Sequence, residues 1–396
     1  MTSFLRKYWL LLLLFGIMII VFGFGDHFSL YQKQFFFTLS SLIKTFLLVG
    51  LPFLIFPFIV MSIANLQGKG AVLVIAILFG VALSQFIAIL FGYGIGELFF
   101  PLLDLGTHLN LGERNDVCVL IDWEVDPFFT IEISLLCGLI TGIILSYTKQ
   151  NIVHRAIGKY LVFSTFFFEK IFTPLLPLYI LGFLLKLQND TDCGNIFEKF
   201  RTLIVLLFMA QIFYIFFYFL WGKAFKSKPT FKAFRRALPA GVTAFSSISS
   251  VITLPVTLKA AEENVQDKTI ANLTIPTTVN CHALGDAIAL PLIALAIYYM
   301  SYASLPDFWT YLPFALMLTL AQFGAISVAG GSVIIIVPIL ISHLKFSPEM
   351  IGLITAVSIF LDPWNTGWNV MGNSGYVMIV DRIYRRFRHP RPLVQK

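Results

Sequence analysis

The chain has 396 residues, of which 58% are apolar and only 12% are charged. Soluble domains are about half apolar and about one quarter charged, so this composition excludes an ordinary soluble protein and predicts an all-α polytopic membrane protein. The net charge of +7 comes from basic residues clustered in a few short loops. This distribution is typical of membrane orientation, so we expect no nucleic-acid partner.

Eight apolar segments are long enough to cross a bilayer as helices, which need about 20 residues each. They lie at about residues 8–25, 36–64, 71–100, 127–147, 171–187, 204–221, 270–300 and around 360–375. We interpret the first as an uncleaved span, because its apolar run is too long for a signal peptide. Residues 149–170 mix basic and aromatic side chains, which indicates an interfacial helix before the fifth span.

The loop charges orient these spans. Basic residues precede the first span, follow the fourth and the sixth, and end the chain. All of them fall on one side of the membrane if the spans alternate. The loop at residues 101–126 is acidic and falls on the other side. The positive-inside rule therefore predicts that both termini are cytoplasmic.

Two short, interrupted segments follow the sixth span. Residues 237–263 have a serine-rich centre, and residues 321–343 have a Gly/Ser centre. Each is predicted to form a re-entrant helical hairpin, and each precedes a full span with a polar middle. By the charge layout, one hairpin enters from inside and the other from outside. Inverted repeats with paired interrupted segments predict a transporter with a binding site near the midplane.

The last span carries an unusual polar load. Five polar side chains recur at intervals that bring them to one helix face or beside it. They are Asp362, Asn365, Thr366, Asn369 and Asn373. An acid at a helix centre costs about 2.5–3.5 kcal/mol on insertion scales, so such residues normally face a cavity, a partner or an ion pathway. We interpret them as one wall of a substrate site. The alternative is an inter-helix hydrogen-bond network that binds no ligand.

Three further stretches suit ligand chemistry. His282 and Asp286 are four residues apart and can share a helix face, which fits either a proton relay or cation site, or a purely structural pair. The serine run of the first hairpin, with Ser249 and Ser250, offers hydroxyls and backbone N–H groups to a carboxylate, or is a flexible turn. The glycine-rich residues 328–332 suit a mobile lid.

The four cysteines include no C-x-x-C pair, so we expect no metal or redox motif. Cys137 and Cys281 lie in apolar segments, and we expect both to be core residues. Cys118 and Cys193 fall in predicted external loops, where a disulfide bridge and two free thiols both stay open.

Several stretches resemble the dicarboxylate/amino acid:cation symporter family, the glutamate transporter homologues. The family's serine-rich first hairpin, which ends Thr-Leu-Pro-Val-Thr, is similar to SSISSVITLPVTLKAAEE. Its second span is similar to LIKTFLLVGLPFLIFPFIVMSIANL. Its last-span pattern Asp-x-Gly-Arg-Thr-x-x-Asn is similar to DPWNTGWN, which begins at Asp362. The resemblance covers nearly the whole chain.

The resemblance implies eight transmembrane helices and two re-entrant hairpins, in an elevator-type transporter that forms homotrimers. It divides the chain into five parts. These are scaffold helices 1–2 at residues 1–70, transport-domain helix 3 at 71–100, an extracytoplasmic loop at 101–126, scaffold helices 4–5 at 127–190, and the transport-domain core at 191–396.

The family motifs also imply residue roles. Asp362 would hold a substrate amino group, and Thr366 and Asn369 would contact the substrate. The two hairpin tips would hold the substrate carboxylate. Their residues are Ser249, Ser250, Gly330 and Gly331.

The sequence departs from the family pattern at its charged positions. Asn365 stands where the family has an arginine that clamps an acidic side chain. Asn373 stands where the family has a sodium-binding aspartate. An amide does not replace a bidentate carboxylate clamp.

The family's seventh-span motif Asn-Met-Asp-Gly-Thr also loses its acid. Aligned on a nearby proline, His282 takes the place of its asparagine and Asp286 that of its threonine. A two-residue shift instead matches Asn280 to that asparagine. The candidates for ion coupling are therefore Asn280, His282, Asp286 and Asn373.

These observations predict a symporter or exchanger of a small neutral amino acid, in the lipid bilayer of a bacterial inner membrane. We expect no enzymatic activity, no cofactor and no bound metal, and the coupling cation, Na⁺ or H⁺, is left open. One alternative is a dicarboxylate or acidic amino acid:cation symporter that uses a basic group from elsewhere. Another is a degenerate member that no longer transports.

Overall fold

The computed structural model of the chain is built from α-helices. It describes residues 12–13, 16–17, 19–21, 23–64, 71–103, 117–121, 123, 125, 131–146, 152–167, 170–171, 173–190, 193–324 and 331–388. From residue 30 onward these ranges contain thirteen α-helices, and the described residues contain no β-strand. The predicted all-α class is confirmed.

Between residues 30 and 190, the described ranges contain five α-helices. They are α1 (Leu30–Ala64), α2 (Ala71–Phe99), α3 (Ile131–Ser146), α4 (Ile152–Phe167) and α5 (Thr173–Asp190). Helix α1 packs along α3, α4 and α5. At Gly182 of α5, an added Cβ would lie 2.1 Å from the carbonyl oxygen of Phe36. A residue without a Cβ is therefore needed where these two backbones meet.

Eight helices form the second half. They are α6 (Cys193–Gly222), α7 (Ser227–Ser247), α8 (Leu254–Asn264), α9 (Lys268–Thr278), α10 (Leu284–Tyr302), α11 (Phe308–Ala321), α12 (Gly331–Leu344) and α13 (Pro348–Arg388).

Two pairs of these helices pack together at the places of the predicted hairpins, and their re-entry into the membrane stays a prediction. Helices α7 and α8 pack on each other, and Ile248 ends α7 in the left-handed conformation, with φ 51° and its N–H bonded to the Ala244 carbonyl. Pro255 in the first turn of α8 starts the returning helix. Helices α11 and α12 also pack together. The tip of this second hairpin, residues 325–330, lies outside the described part of the chain.

Helix α10 lies at the centre of the second half, where it packs against α2, α6 and α13. Nearly all of its side chains are buried. An apolar helix that is buried on every face belongs to a core and is not a surface helix. The polar groups at the N-terminal end of α10 are therefore also in the middle of the protein.

Helix α13 runs antiparallel to α7 and meets it through glycines. A Cβ on Gly241 of α7 would lie 2.9 Å from the Met371 side chain, and a Cβ on Gly367 of α13 would lie 3.2 Å from the Gly241 carbonyl oxygen. Small residues at a helix crossing let backbones approach closely. The first hairpin is therefore held directly against the helix that carries the polar motif.

Several helices match the lengths and composition of membrane spans. Among the described residues, three are long and apolar enough to cross a bilayer: Leu73–Phe99, Phe200–Gly222 and Leu284–Tyr302. Shorter apolar helices cover Ile133–Ser146, Pro177–Lys186 and Ile335–Leu344. The total of eight spans stays a prediction.

Two expectations need correction. Helices α1 and α6 begin well before the predicted spans, because apolar composition marks only the hydrocarbon-facing part of a longer helix. Cys281 is buried as expected, but Cys137 is exposed on α3. An apolar segment in a membrane protein can face lipid, so apolar neighbours do not imply burial. The side chain of Cys193 is outside the described set, and the Cys118–Cys193 bridge stays untested.

Candidate functional site

The site begins with a break in the helix of the predicted seventh span. Helix α9 ends at Thr278 and α10 begins at Leu284, so the intervening backbone is not helical. The N–H of His282 bonds to the Thr278 carbonyl, 2.9 Å away. The N–H of Ala283 bonds to Oε1 of Gln85 on α2 at 3.0 Å. Irregular backbone inside a membrane protein needs such internal partners, because lipid offers none.

Asp286 lies just after this break and is the most buried acid of the predicted site. Its Oδ2 accepts a hydrogen bond from Nδ2 of Asn369 at 2.9 Å and another from Oγ of Ser332 at 2.9 Å. The backbone N–H of Asp286 donates to Oδ1 of Asn369 at 3.1 Å. One carboxyl group thus joins α10, the start of α12 and the middle of α13.

Two helix N-termini lie close to the Asp286 carboxyl group. Asp286 lies in the first turn of α10, and its partner Ser332 is the second residue of α12. Each helix N-terminus carries roughly half a positive charge. A buried carboxylate without compensation is strongly unfavourable. The two N-termini and the neutral donors would offset part of that cost, and a bound proton or cation would offset more of it.

Asn365 belongs to the same cluster through an amide bridge. Nε2 of Gln211 on α6 donates to Oδ1 of Asn365 at 2.9 Å and to the carbonyl of Gly285 at 3.0 Å. The indole N–H of Trp364 donates to Oε1 of Gln211 at 2.9 Å. The position that the family motif gives to an arginine is therefore filled by a buried amide whose oxygen already accepts a hydrogen bond.

A second cluster surrounds His282. Its Nδ1 lies 2.9 Å from Oδ1 of Asn373, whose Nδ2 donates to the His282 carbonyl at 3.2 Å. Its Nε2 lies 2.8 Å from Oγ of Ser84 on α2, and that hydroxyl lies 2.7 Å from the hydroxyl of Tyr218 on α6. The ring of Tyr376 packs against the imidazole, with centroids 4.7 Å apart.

These contacts fix the tautomer of a neutral His282. The amide oxygen of Asn373 can only accept, so Nδ1 carries the proton. Nε2 of a neutral imidazole is then an acceptor, the Ser84 hydroxyl donates to it, and the Tyr218 hydroxyl donates to Ser84. We call this Tyr218–Ser84–His282–Asn373 series the imidazole chain. It connects α6, α2, the helix break and α13.

Replacing Ser84 by alanine is expected to destabilise the protein by about 1–3 kcal/mol, because Tyr218 and Nε2 of His282 both lose a buried partner. The midpoint of thermal unfolding in detergent measures the effect. Ser304→Ala is the matched control, because Ser304 is exposed and its loss should change little. Equal losses for both variants would contradict the assigned chain.

The remaining predicted residues lie along the first hairpin. Hydroxyls of Ser247 and Thr253 donate to the Ser249 carbonyl at 3.1 and 2.8 Å, which closes the turn. Ser250 is buried in the same turn. On α13, Oγ1 of Thr366 lies 3.5 Å from Oδ1 of the half-buried Asp362. Because α7 and α13 are antiparallel, the turn lies at the level of Asp362.

Comparison with known proteins decides the family. The model of the sodium:dicarboxylate symporter family matches residues 10–383. The chain belongs to this family. It is therefore a multi-pass membrane protein of a transporter family, as the composition and the resemblance predicted.

Characterised relatives match parts of the chain. The serine/threonine transporter SstT of Acinetobacter baylyi is 29% identical over 161 residues, which cover 40% of this chain and 40% of that protein. Excitatory amino acid transporter 1 of Ambystoma tigrinum is 32% identical over 149 residues, covering 37% of this chain and 27% of the relative. Human excitatory amino acid transporter 2 is also 32% identical, over 148 residues and 25% of its length. The matches thus span less than half of each relative.

In this family member, the structure brings together five of the predicted residues and separates others. Asn365, Asn369, Asn373, His282 and Asp286 all lie in the two buried clusters. His282 and Asp286 do not share a helix face as expected, because α10 starts only at Leu284 and the polar stretch interrupts the helical repeat.

The other predicted positions have different outcomes. Asn280 lies in the same break, but its side chain is exposed and is not part of the two buried clusters. Gly331 is the first residue of α12, so the second hairpin does deliver a helix N-terminus near Asp286. Gly330 lies outside the described residues.

Four residues of the clusters escaped the sequence analysis: Ser84, Gln85, Gln211 and Tyr218. A signal was present, because Gln211 is the one amide in an otherwise apolar and aromatic span, and Ser84 and Gln85 interrupt another. Polar groups inside membrane helices normally face a partner or a pathway. Among the described residues, no group of three or more His, Cys, Asp or Glu could hold a metal ion.

Proposed function

We propose that this chain is a secondary transporter, a symporter or exchanger, that carries a small neutral amino acid across the cytoplasmic membrane. Membership of the sodium:dicarboxylate symporter family supports cation-coupled transport. The observation that supports a neutral substrate is the contact of Asn365, which stands at the arginine position and accepts a hydrogen bond from Gln211, which also bonds to the carbonyl of Gly285 next to Asp286. A second carboxylate on the substrate would meet amides and an acid there, which is unfavourable.

The proposed ligand contacts follow the motif. Asp362 would pair with the substrate amine, and Thr366 and Asn369 would contact its backbone atoms. The two hairpin tips, near Ser249 and Gly331, would receive its carboxylate. Support comes from the level of the first turn beside Asp362 and from the α12 N-terminus beside Asp286.

Coupling is assigned to Asp286. A buried carboxylate bonded to neutral groups can take up either a proton or a metal cation as the compensating charge. Asp286 would therefore bind the coupling cation, with Asn369 and Ser332 orienting its carboxyl group. Asn373 is committed to His282 and would not contribute a charge.

The larger arrangement is proposed from the family resemblance. Residues 1–70 and 127–190 would form the scaffold of a homotrimer, and residues 71–100 and 191–396 would move as the transport domain of an elevator, with both termini cytoplasmic. The bonds of Ser84 and Gln85 to the helix break support the assignment of α2 to the moving part.

The alternative is an acidic substrate, in agreement with the family's description and with the names of the excitatory amino acid transporters. A stabilisation panel separates the two. The purified protein is heated with aspartate, succinate, serine or alanine, each with and without sodium. Serine or alanine should raise the unfolding midpoint, and stabilisation by the acidic ligands alone would refute the neutral substrate. Uptake into proteoliposomes under separate sodium and pH gradients then identifies the cation.

A further inference from the structure

A basic cavity lies away from the polar clusters, at the end of α6 and the C-terminal part of α13. Its volume is about 990 Å³. The cavity is lined by five cationic side chains and, among its described lining, a single acid. The cations are Lys223, Lys226, Arg382, Arg385 and Arg386, and the acid is Asp381.

The single acid does not balance these charges. Asp381 is buried, and Arg385 is paired with it at 3.1 Å. Asp381 also accepts the backbone N–H groups of Gln266 and Asp267, each at 3.2 Å. Its oxygens are thus already engaged at the junction of α8 and α9. The remaining basic side chains face the cavity without an equal number of carboxylates.

Two of the cations are positioned by backbone carbonyls. Nζ of Lys223 donates to the carbonyl of Asn264 at 2.5 Å, and a guanidinium nitrogen of Arg382 donates to the carbonyl of Trp221 at 2.6 Å. Burial lowers the pKa of Lys223, and the nearby Arg236 and Arg385 lower it further against the opposing effect of Asp381. The cavity lining carries more positive than negative charge, and a bound anion would offset the excess.

The surroundings of the cavity resemble a membrane interface. The apolar span Phe200–Gly222 ends at its wall, and the aromatic side chains of Trp221 and Phe225 are exposed beside it. Trp and other amphipathic aromatic residues are enriched at the level of lipid headgroups. Phe225 is held in the left-handed conformation, with φ 59°, and its ring contacts that of Phe217, 5.9 Å away.

We propose that this cavity binds the phosphate of an anionic phospholipid headgroup, with the acyl chains lying along the exposed aromatic side of α6. Basic pockets between the ends of membrane helices bind anionic headgroups, and arginine suits phosphate because its donors form a planar fork. The site is separate from the substrate clusters, and the proposal does not depend on the transported solute.

The test measures lipid binding to the purified full chain in a mild detergent. Phosphatidylglycerol, phosphatidylcholine or inorganic phosphate is added, and retained lipid is counted by native mass spectrometry beside the thermal unfolding midpoint. One phosphatidylglycerol per chain and a raised midpoint are expected. Phosphatidylcholine, which has a phosphate but no net charge, should bind weakly. An equal effect of inorganic phosphate would overturn the assignment to a lipid.

Paired variants locate the site. Lys226→Gln with Arg386→Gln removes two cavity charges, and should weaken phosphatidylglycerol binding about tenfold or more. Lys228→Gln with Lys232→Gln removes two exposed charges from α7 outside the cavity lining, and should weaken it much less. Equal weakening by both pairs would show general surface attraction and overturn the cavity site.

Discussion

Replacing Asp286 by asparagine is expected to lower cation-driven substrate accumulation about 100-fold. A cation bound to Asp286 would lose its charged partner, which is worth roughly 3 kcal/mol. The fold should survive, because Asn369 and Ser332 both donate to the same oxygen of Asp286, and the asparagine oxygen can accept both bonds.

Uptake into proteoliposomes, with sodium and pH gradients imposed in turn, measures the loss. Asp307→Asn is the matched control, because Asp307 is exposed and caps α11 by accepting the N–H groups of Trp309 and Thr310. Asparagine caps helices as well as aspartate does, so this variant should transport normally. Undiminished accumulation by the Asp286 variant would remove it from the coupling role.

Replacing Gly285 by alanine is expected to separate α10 from α13 and to abolish transport. The new Cβ would lie 2.4 Å from the carbonyl oxygen of Asn365 and 2.9 Å from Oδ1 of Asn369. Backbone oxygens cannot rotate away, so the helices must shift. Such overpacking typically costs about 1–3 kcal/mol, and here it also disturbs the bonds to Asp286.

Gly94→Ala on α2 is the control for this substitution, because a Cβ there meets nothing within 4 Å. Alanine in an exposed helix position should be neutral or stabilising by about 0.5–1 kcal/mol. Thermal unfolding midpoints of both variants, followed by proteoliposome uptake, make the comparison. A Gly285 variant as stable and active as the Gly94 variant would contradict the close crossing of α10 and α13.

The all-α class and the paired helices could be predicted from the sequence because long apolar runs and their polar interruptions are local signals. The polar stretch around His282 was visible in the same way, but the sequence analysis placed His282 and Asp286 on one continuous helix face, and the structure has a helix break there. The contact between His282 and Asn373 was not predictable. It depends on which faces of α10 and α13 meet, and glycines such as Gly285 decide that only once the helices are packed.

The relative burial of Asp362 and Asp286 also could not be predicted from the sequence. Asp362 and Asp286 both lie in polar stretches of apolar spans, and insertion costs are the same for both. In the structure, Asp286 is buried against α12 and α13, whereas Asp362 is only half-buried beside the first hairpin. The difference comes from the break before Leu284, which turns the start of α10 toward the second hairpin. The polarity of Gln211 and Ser84 indicated that each has a buried partner, but it did not indicate which residues those partners are.

The imidazole chain has an evolutionary consequence. Each side chain in the imidazole chain forms a hydrogen bond with the next one. A replacement of Ser84 therefore removes a hydrogen-bond partner of His282, and a replacement of His282 removes a partner of Asn373. Single replacements leave a buried group unmatched, whereas a coordinated replacement does not. We therefore expect four positions to covary among related sequences, although they lie in separate segments of the chain: residues 84, 218, 282 and 373.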